Sequence, residues 1–377
     1  MILHFLFCLQ ENAFFDPSLW FIKLFGFKES VSLVRKHLSC SKVGFNVKIM
    51  SDINNISYNA GNFQIRNISS FLNKFPKLPI RNGGSFNILS GKGRETKNFQ
   101  KIDAFSMQSL PENDGATYLA ASNFNCLEFT SRIDSARNGV TDYIYDNTQG
   151  PYTALACPQS AVYRNYFYEH PNKNATGQLK EQINLLSKTP LKVENGYAII
   201  STSDTSDLVE KKFNWSDENN YPVGVHNNCD VLLTRASNRK FKIVDKKSKP
   251  IIANHVYAAS FNLYDDVVMN NFTLQILQHI LEAEYKSTIF SAWENSIKME
   301  EEGRQGAKKL FLTLLGGGVF GNPKDIIAKS IISSKDELIK SGLEVYAVAF
   351  DEASFNDIKK YLIPLVNETN GKIISIE

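Results

Sequence analysis

Cysteine is scarce and scattered in this chain: Cys8, Cys40, Cys126, Cys157 and Cys229 are five residues without close pairs. An odd number at wide spacing argues against a disulfide framework and for a reducing compartment, here the cytoplasm. An excess of one charge is also missing. Forty-two Lys and Arg against 39 Asp and Glu leave a net +3 over 377 residues, which makes no electrostatic case for a nucleic-acid partner. No run approaches the ~18–20 apolar residues of a membrane span. The start, MILHFLFCLQ, resembles the core of a signal peptide, yet it lacks a basic n-region and a small-residue cleavage site, and Glu11 and Asn12 interrupt it. A buried terminal strand or helix, or a start codon placed too far upstream, is the preferred reading.

Several motifs fail on inspection. SGKGRET is no Walker A loop: Phe86 stands where the first Gly belongs, and Gly93 follows Lys92 where a hydroxyl must reach magnesium. It reads as a surface turn. VGVHNNCD places His226, Cys229 and Asp230 within five positions, but no CxxC or HxxxH supplies a second ligand cluster, so no metal is expected. Cys126 and Cys157 default to buried structural thiols. The N-X-S/T triplets at Asn55, Asn67, Asn174, Asn214, Asn271 and Asn367 are what chance produces in a chain so rich in Asn and Ser. Internal repeats and low-complexity tracts are lacking.

What is present is material for a sizeable core, with 43% hydrophobic residues. Residues 1–100 read as a small N-terminal α+β region: helical from Phe14 to Leu38, short strands from about Gly44 to Ile65, then a Gly-rich polar boundary near Thr96. This region is a possible cap. From 101 to 377 the text alternates. ATYLAAS, GYAIIST, KPIIANHVYAASF, LFLTLL, EVYAVAF and KIISI are strand-like. PYTALACPQSAVYRNYF is helical from Pro151, a long amphipathic helix runs from about Val267 to Glu301, and FNDIKKYLIPLV forms another helix. Such alternation predicts a mostly parallel sheet covered on both faces.

Ligands gather at the carboxyl ends of such strands, and two segments there are unusual. In LLGGGVFGNP, Gly316, Gly317, Gly318, Val319, Phe320, Gly321 and Asn322 expose backbone N–H groups to an anion, and Pro323 and Asp325 open a helix whose positive end points the same way. A diphosphate fits this description better than a mere crossover does. The second segment, Asn123 to Phe167, is too long and polar for a simple connector. It holds Glu128, Asp134, Asp142 and Asp146. Asp146 is the first candidate for chemistry, because Thr148, Gln149 and Gly150 follow it at a helix start.

The combination of ASNFNCLEF, GVTDYIYDNTQGP, SAVYRNYF, ENGYAI, VGVHNN, YAASF and FLTLLGGGVFGNP, spread from about Phe14 to Phe350, resembles an atypical branch of the macrodomain superfamily, ADP-ribose-binding proteins of three-layer α/β/α fold with a mixed, mostly parallel sheet. That branch is similar to bacterial-effector macrodomains that remove ADP-ribose from protein. The resemblance implies that Asn123 and Asn125 hold the distal ribose, that residues 316–322 hold the diphosphate, and that Phe320 packs near the distal ribose. The first Gly-rich loop of the family is replaced by NTQGPY, so Thr148, Gln149 and Gly150 substitute, with Glu128 also at the site. It further implies an ADP-ribosylhydrolase in which Asp146, with Asp142 and Asp134 behind it, activates water. The alternative is a non-catalytic module that binds ADP-ribose or ADP-ribosylated protein. No cofactor, metal, nucleic acid or membrane is expected as partner, and the oligomeric state stays open.

Overall fold

Ten strands, taken in chain order, build one sheet: β1 (Leu38–Val43), β2 (Asn46–Ser51), β3 (Ile56–Arg66), β4 (Ser85–Ser90), β5 (Thr117–Ala121), β6 (Val223–Asp230), β7 (Ile252–Ala258), β8 (Lys309–Leu312), β9 (Glu344–Ala349) and β10 (Ile373–Ser375). They come from a computed structural model that describes residues 13–14, 16, 19–171, 175–237, 240–244 and 249–377. The apolar start with Cys8, and Asn174 of one N-X-S/T triplet, lie outside the described residues. The spatial order is β10-β4-β9-β8-β5-β7-β6-β3-β2-β1. From β10 to β7 all neighbours run parallel. From β7 to β1 they alternate as an antiparallel extension. The α/β class with a mixed, mostly parallel sheet is therefore observed.

Burial explains the arrangement. All seven residues of β7 are buried, so both faces are covered there, as a continuous apolar run requires. Strand β1, at the other extreme, buries only Leu38 and forms a polar edge. The helix α3 (Asn271–Glu301) contacts β5, β6, β7 and β8. It starts at Asn271, not Val267, because the Asn270 side chain accepts from Thr273 N at 3.0 Å and caps it there. The single helix expected from Pro151 is two, α1 (Gln149–Leu155) and α2 (Pro158–Tyr166). Pro158 has no N–H to continue the first ladder. After β8 comes α4 (Lys324–Ile332), and after β9 comes α5 (Glu352–Glu368).

Residues 38–66 and 85–90 of the N-terminal 100 belong to this sheet. Strands β1 to β3 extend its antiparallel flank through the β3–β6 pairing, whereas β4 enters the parallel flank between β10 and β9. The helices Leu19–Phe25 and Val31–His37 precede β1, and Trp20, Phe21, Leu24 and Phe25 are all buried. Among the described residues, no helix is long and apolar enough to cross a membrane.

Candidate functional site

The chain turns at the carboxyl ends of five parallel strands, β4, β9, β8, β5 and β7, and those turns enclose one cavity of about 1170 Å³. Arg94 follows β4, Phe350 follows β9, residues 313–320 follow β8, Ser122 and Asn123 follow β5, and Ala259 and Ser260 follow β7; all line it. This is where parallel sheets bind ligands. Strands β5 and β8 are direct neighbours, with Leu310 opposite Thr117 and Phe311 opposite Tyr118. Register thus brings the Gly-rich loop to the acidic segment, although the two are far apart along the chain.

The Gly-rich loop is a fixed turn. Gly317 N donates to Leu314 O, Gly321 N to Gly318 O and Asn322 N to Gly316 O, at 2.9, 3.1 and 2.9 Å. The Tyr285 hydroxyl anchors its base, accepting from Leu315 N and donating to Thr313 O. Gly316 has φ +67°, and a Cβ there would sit 2.3 Å from Ser260 Oγ; only glycine is unstrained at this position. Gly316, Gly317, Gly318, Val319 and Phe320 line the cavity. Among the described residues, the N–H groups of Gly318, Val319 and Phe320 donate to no protein acceptor. Unpaired amides beside a helix start are groups able to receive an anion. Gly321 and Asn322 lie outside the lining and shape the turn instead: Asn322 Nδ2 donates to Phe261 O and Phe320 O.

The opposite wall is built by α1 and the segment before it. A Cβ on Gly150 would lie 1.7 Å from Ala121 O, so glycine is what lets α1 approach the end of β5. Gln149 cements that approach, its Oε1 accepting from Ala121 N and its Nε2 donating to Leu119 O. Thr148, Gln149 and Gly150 all line the cavity. So do Asp134, Asp142 and Asp146. Asp146 Oδ1 accepts from Thr148 N at 2.8 Å, and Oδ2 is unpaired among the described residues. Asp134 Oδ2 accepts from the Thr130 and Ser131 hydroxyls, and Asp142 is exposed.

Two expected ligand residues behave differently. Asn123 lines the cavity, with its Nδ2 on Phe129 O at 3.0 Å. Asn125 does not reach it: the side chain is buried, accepts from Leu127 N and donates to Gln182. Glu128 contributes to the wall, but its carboxylate is fully enclosed with Arg164, 3.1 Å away. The Ser122 hydroxyl donates to Glu128 Oε1. Arg164 also donates to Cys126 O and Tyr257 Oη and stacks over the Tyr257 ring at 3.8 Å. Burial pushes the Glu128 carboxyl up to about 7, against the opposing pull of Arg164. Burial alone would lower the Arg164 guanidinium, yet Tyr257 and Glu128 beside it raise it. Arginine does not deprotonate in proteins, so Arg164 is the fixed charge of the pair.

Other residues were not legible as site residues. SGKGRET is not simply a surface turn, since β4 delivers Arg94 to the cavity. Arg235, from the strand Leu233–Ser237, stacks over Tyr152 at 4.1 Å and faces Asp103 at 3.5 Å, and all three line the cavity. Tyr197, on the hairpin strand Tyr197–Ile199, meets the Phe320 ring with centroids 5.9 Å apart. Glu29, far from the cavity in sequence, ties down the acid-bearing segment: it accepts from Val140 N and Thr141 N at 2.9 and 2.7 Å and from the Tyr166 hydroxyl. Burial raises its carboxyl, against these hydrogen bonds.

The metal-like trio has other occupations. His226 Nδ1 faces Arg164 at 3.3 Å, and Cys229 Sγ lies against the carbonyls of Ala60 and His226. Among the described residues, no group of three or more His, Cys, Asp or Glu has the geometry to hold a metal ion. Burial pushes the thiols of Cys126 and Cys157 well up, which leaves little thiolate for nucleophilic work.

No protein-family model matches the chain, and no curated protein matches it. Solved structures give weak likenesses. Poly(ADP-ribose) glycohydrolase from Deinococcus radiodurans, in complex with ADP-ribose, is 11% identical with a TM-score of 0.40, covering 81% of this chain and 95% of its own. The Thermomonospora curvata poly(ADP-ribose) glycohydrolase is 10% identical with a TM-score of 0.39, covering 88% and 96%.

Proposed function

We propose that the chain is a macrodomain-like ADP-ribosylhydrolase, which binds the ADP-ribose group of a modified protein in this cavity and hydrolyses its glycosidic bond. The observation that carries the reading is the convergence, on neighbouring strands, of unpaired loop amides at Gly318–Phe320 with the carboxylates of Asp134, Asp142 and Asp146. The amides receive a diphosphate. Asn123 and the Tyr197–Phe320 ring pair flank the space for the distal ribose.

The chemistry follows from the acids. Asp146 is held by Thr148 N through Oδ1, leaving Oδ2 to accept a proton from water. The water oxygen bonds to the ribose C1 as the N- or O-glycosidic bond breaks; the departing side chain keeps the electron pair and takes up the proton that Asp146 accepted from water, returning Asp146 to its carboxylate form. Negative charge at the acids stabilises the oxocarbenium-like centre. Asp142 and Asp134 take supporting roles. A non-catalytic ADP-ribose reader is the rival, favoured by the hydrogen bonds that already engage Asp134 and Asp146. Incubation with ADP-ribosylated protein decides between them. A hydrolase releases free ADP-ribose, and Asp146→Ala lowers the rate about 100-fold or more while still binding ADP-ribose. Binding by the wild type without release sinks the enzymatic reading.

A further inference from the structure

Lys324 is the first residue of α4 and lines the cavity. Its Nζ lies only 3.1 Å from the place a Cβ on Gly317 would occupy, so the ammonium rests over the bare backbone of the Gly-rich loop. Gly317 is not needed for a left-handed conformation; a Cβ there would lie equally close, at 3.1 Å, to Ile327 Cδ1, Leu314 O and the Lys324 ammonium, so its bare backbone lets all three pack against the loop. The neighbouring acid does not neutralise it, because Asp325 is engaged by Lys329 one turn on, at 3.1 Å. Among the described residues, Lys324 makes no ion pair or hydrogen bond. Arg235, by contrast, is held by Asp103 and the Tyr152 ring. A cation at a helix N-terminus opposes the helix dipole. An anion shared between the ammonium and the loop amides reverses that penalty.

We propose that Lys324 is the cationic contact for the diphosphate, supplying a full charge where the loop amides supply only partial ones. This rests on the reading of the cavity as an ADP-ribose site. Gly316 sets the turn, and the bare backbone of Gly317 is where the lysine ammonium, the Ile327 side chain and Leu314 O come together.

The test is calorimetric titration of the full chain with ADP-ribose, comparing wild type with Lys324→Gln and Lys324→Arg. Loss of one charge-assisted hydrogen bond predicts about 10- to 100-fold weaker binding for Lys324→Gln. Lys324→Arg keeps the charge and stays within about 3-fold. The salt dependence of affinity becomes shallower in Lys324→Gln only. The melting temperature of unliganded Lys324→Gln equals or exceeds that of wild type, since a repulsive charge has left the helix start. If wild type binds and Lys324→Gln binds equally well, the assignment of Lys324 is overturned while the ADP-ribose reading stands. If wild type does not bind ADP-ribose, that reading falls and the lysine assignment falls with it.

Discussion

Replacing Arg164 with methionine tests how the cavity wall is held. The guanidinium is fully buried, makes its ion pair with an equally buried Glu128, and donates to Cys126 O and Tyr257 Oη. Methionine keeps much of the volume and removes every donor. Glu128 is left with the Ser122 hydroxyl and its own backbone surroundings. Orphaning one partner of a buried pair costs about 3–5 kcal/mol, a large share of a typical stability of roughly 5–15 kcal/mol. Urea unfolding followed by circular dichroism reads this as a lower midpoint with unchanged slope. The loss depends on pH. Without Arg164 the Glu128 carboxyl rises further above its present value of about 7, so the folded state prefers the protonated form. Stability then returns as pH falls through that raised value, and the variant loses less at about pH 5.5 than at about pH 8. Adding Glu128→Leu removes the stranded carboxylate and restores about 2 kcal/mol or more. A single variant that loses under about 1 kcal/mol, or a double variant no better than the single, refutes the reasoning.

Gly316→Ala places a side chain at φ +67° and 2.3 Å from Ser260 Oγ; a loss of about 1–2 kcal/mol is expected from the left-handed backbone alone, with ADP-ribose affinity falling at least ~10-fold as the turn opens. Calorimetry and thermal melting report both. Glu29→Ala removes the acceptor for Val140 N and Thr141 N, so their amide exchange accelerates while amides at the Gly-rich loop keep their protection. Equal exchange in both proteins contradicts the view that Glu29 pins the acid-bearing segment. Because burial raises the Glu29 carboxyl, its ionised form is penalised, and wild-type stability from this group declines as pH rises from the ordinary carboxylate range through the raised value.

Much of this architecture was legible because it is written in local pattern. The strands at 117–121, 252–258, 309–312 and 344–349 are apolar runs, and the Gly-rich loop announces itself by residue type. The pairing of that loop with Asp146, Thr148 and Gly150 also followed from the logic of parallel strands. What escaped depends on tertiary register. Arg94 belongs to a turn whose role emerges only once β4 is placed beside β9. Arg235 reaches the cavity from a strand, and Glu29 holds the acid-bearing segment from a loop, with no motif of their own. Asn125 and Glu128 matched the expected segment, yet the left-handed backbone at Cys126, φ 58°, turns the chain inward there. The Asn125 side chain is spent on Leu127 N and Gln182 and does not reach the cavity, whereas Glu128 lines the wall with its carboxylate paired to Arg164. Lys324 follows the proline that opens α4, but only the fold brings its ammonium to the cavity beside the Gly-rich loop.

Titration of the full chain with ADP-ribose tests the central claim most directly. Saturable heat at one ligand per chain is predicted, with a dissociation constant of order micromolar and a rise in melting temperature that grows with ligand concentration. The heat weakens in Gly316→Ala. Absence of both heat and thermal shift at about 1 mM ADP-ribose, a concentration that detects even feeble binding, contradicts the claim.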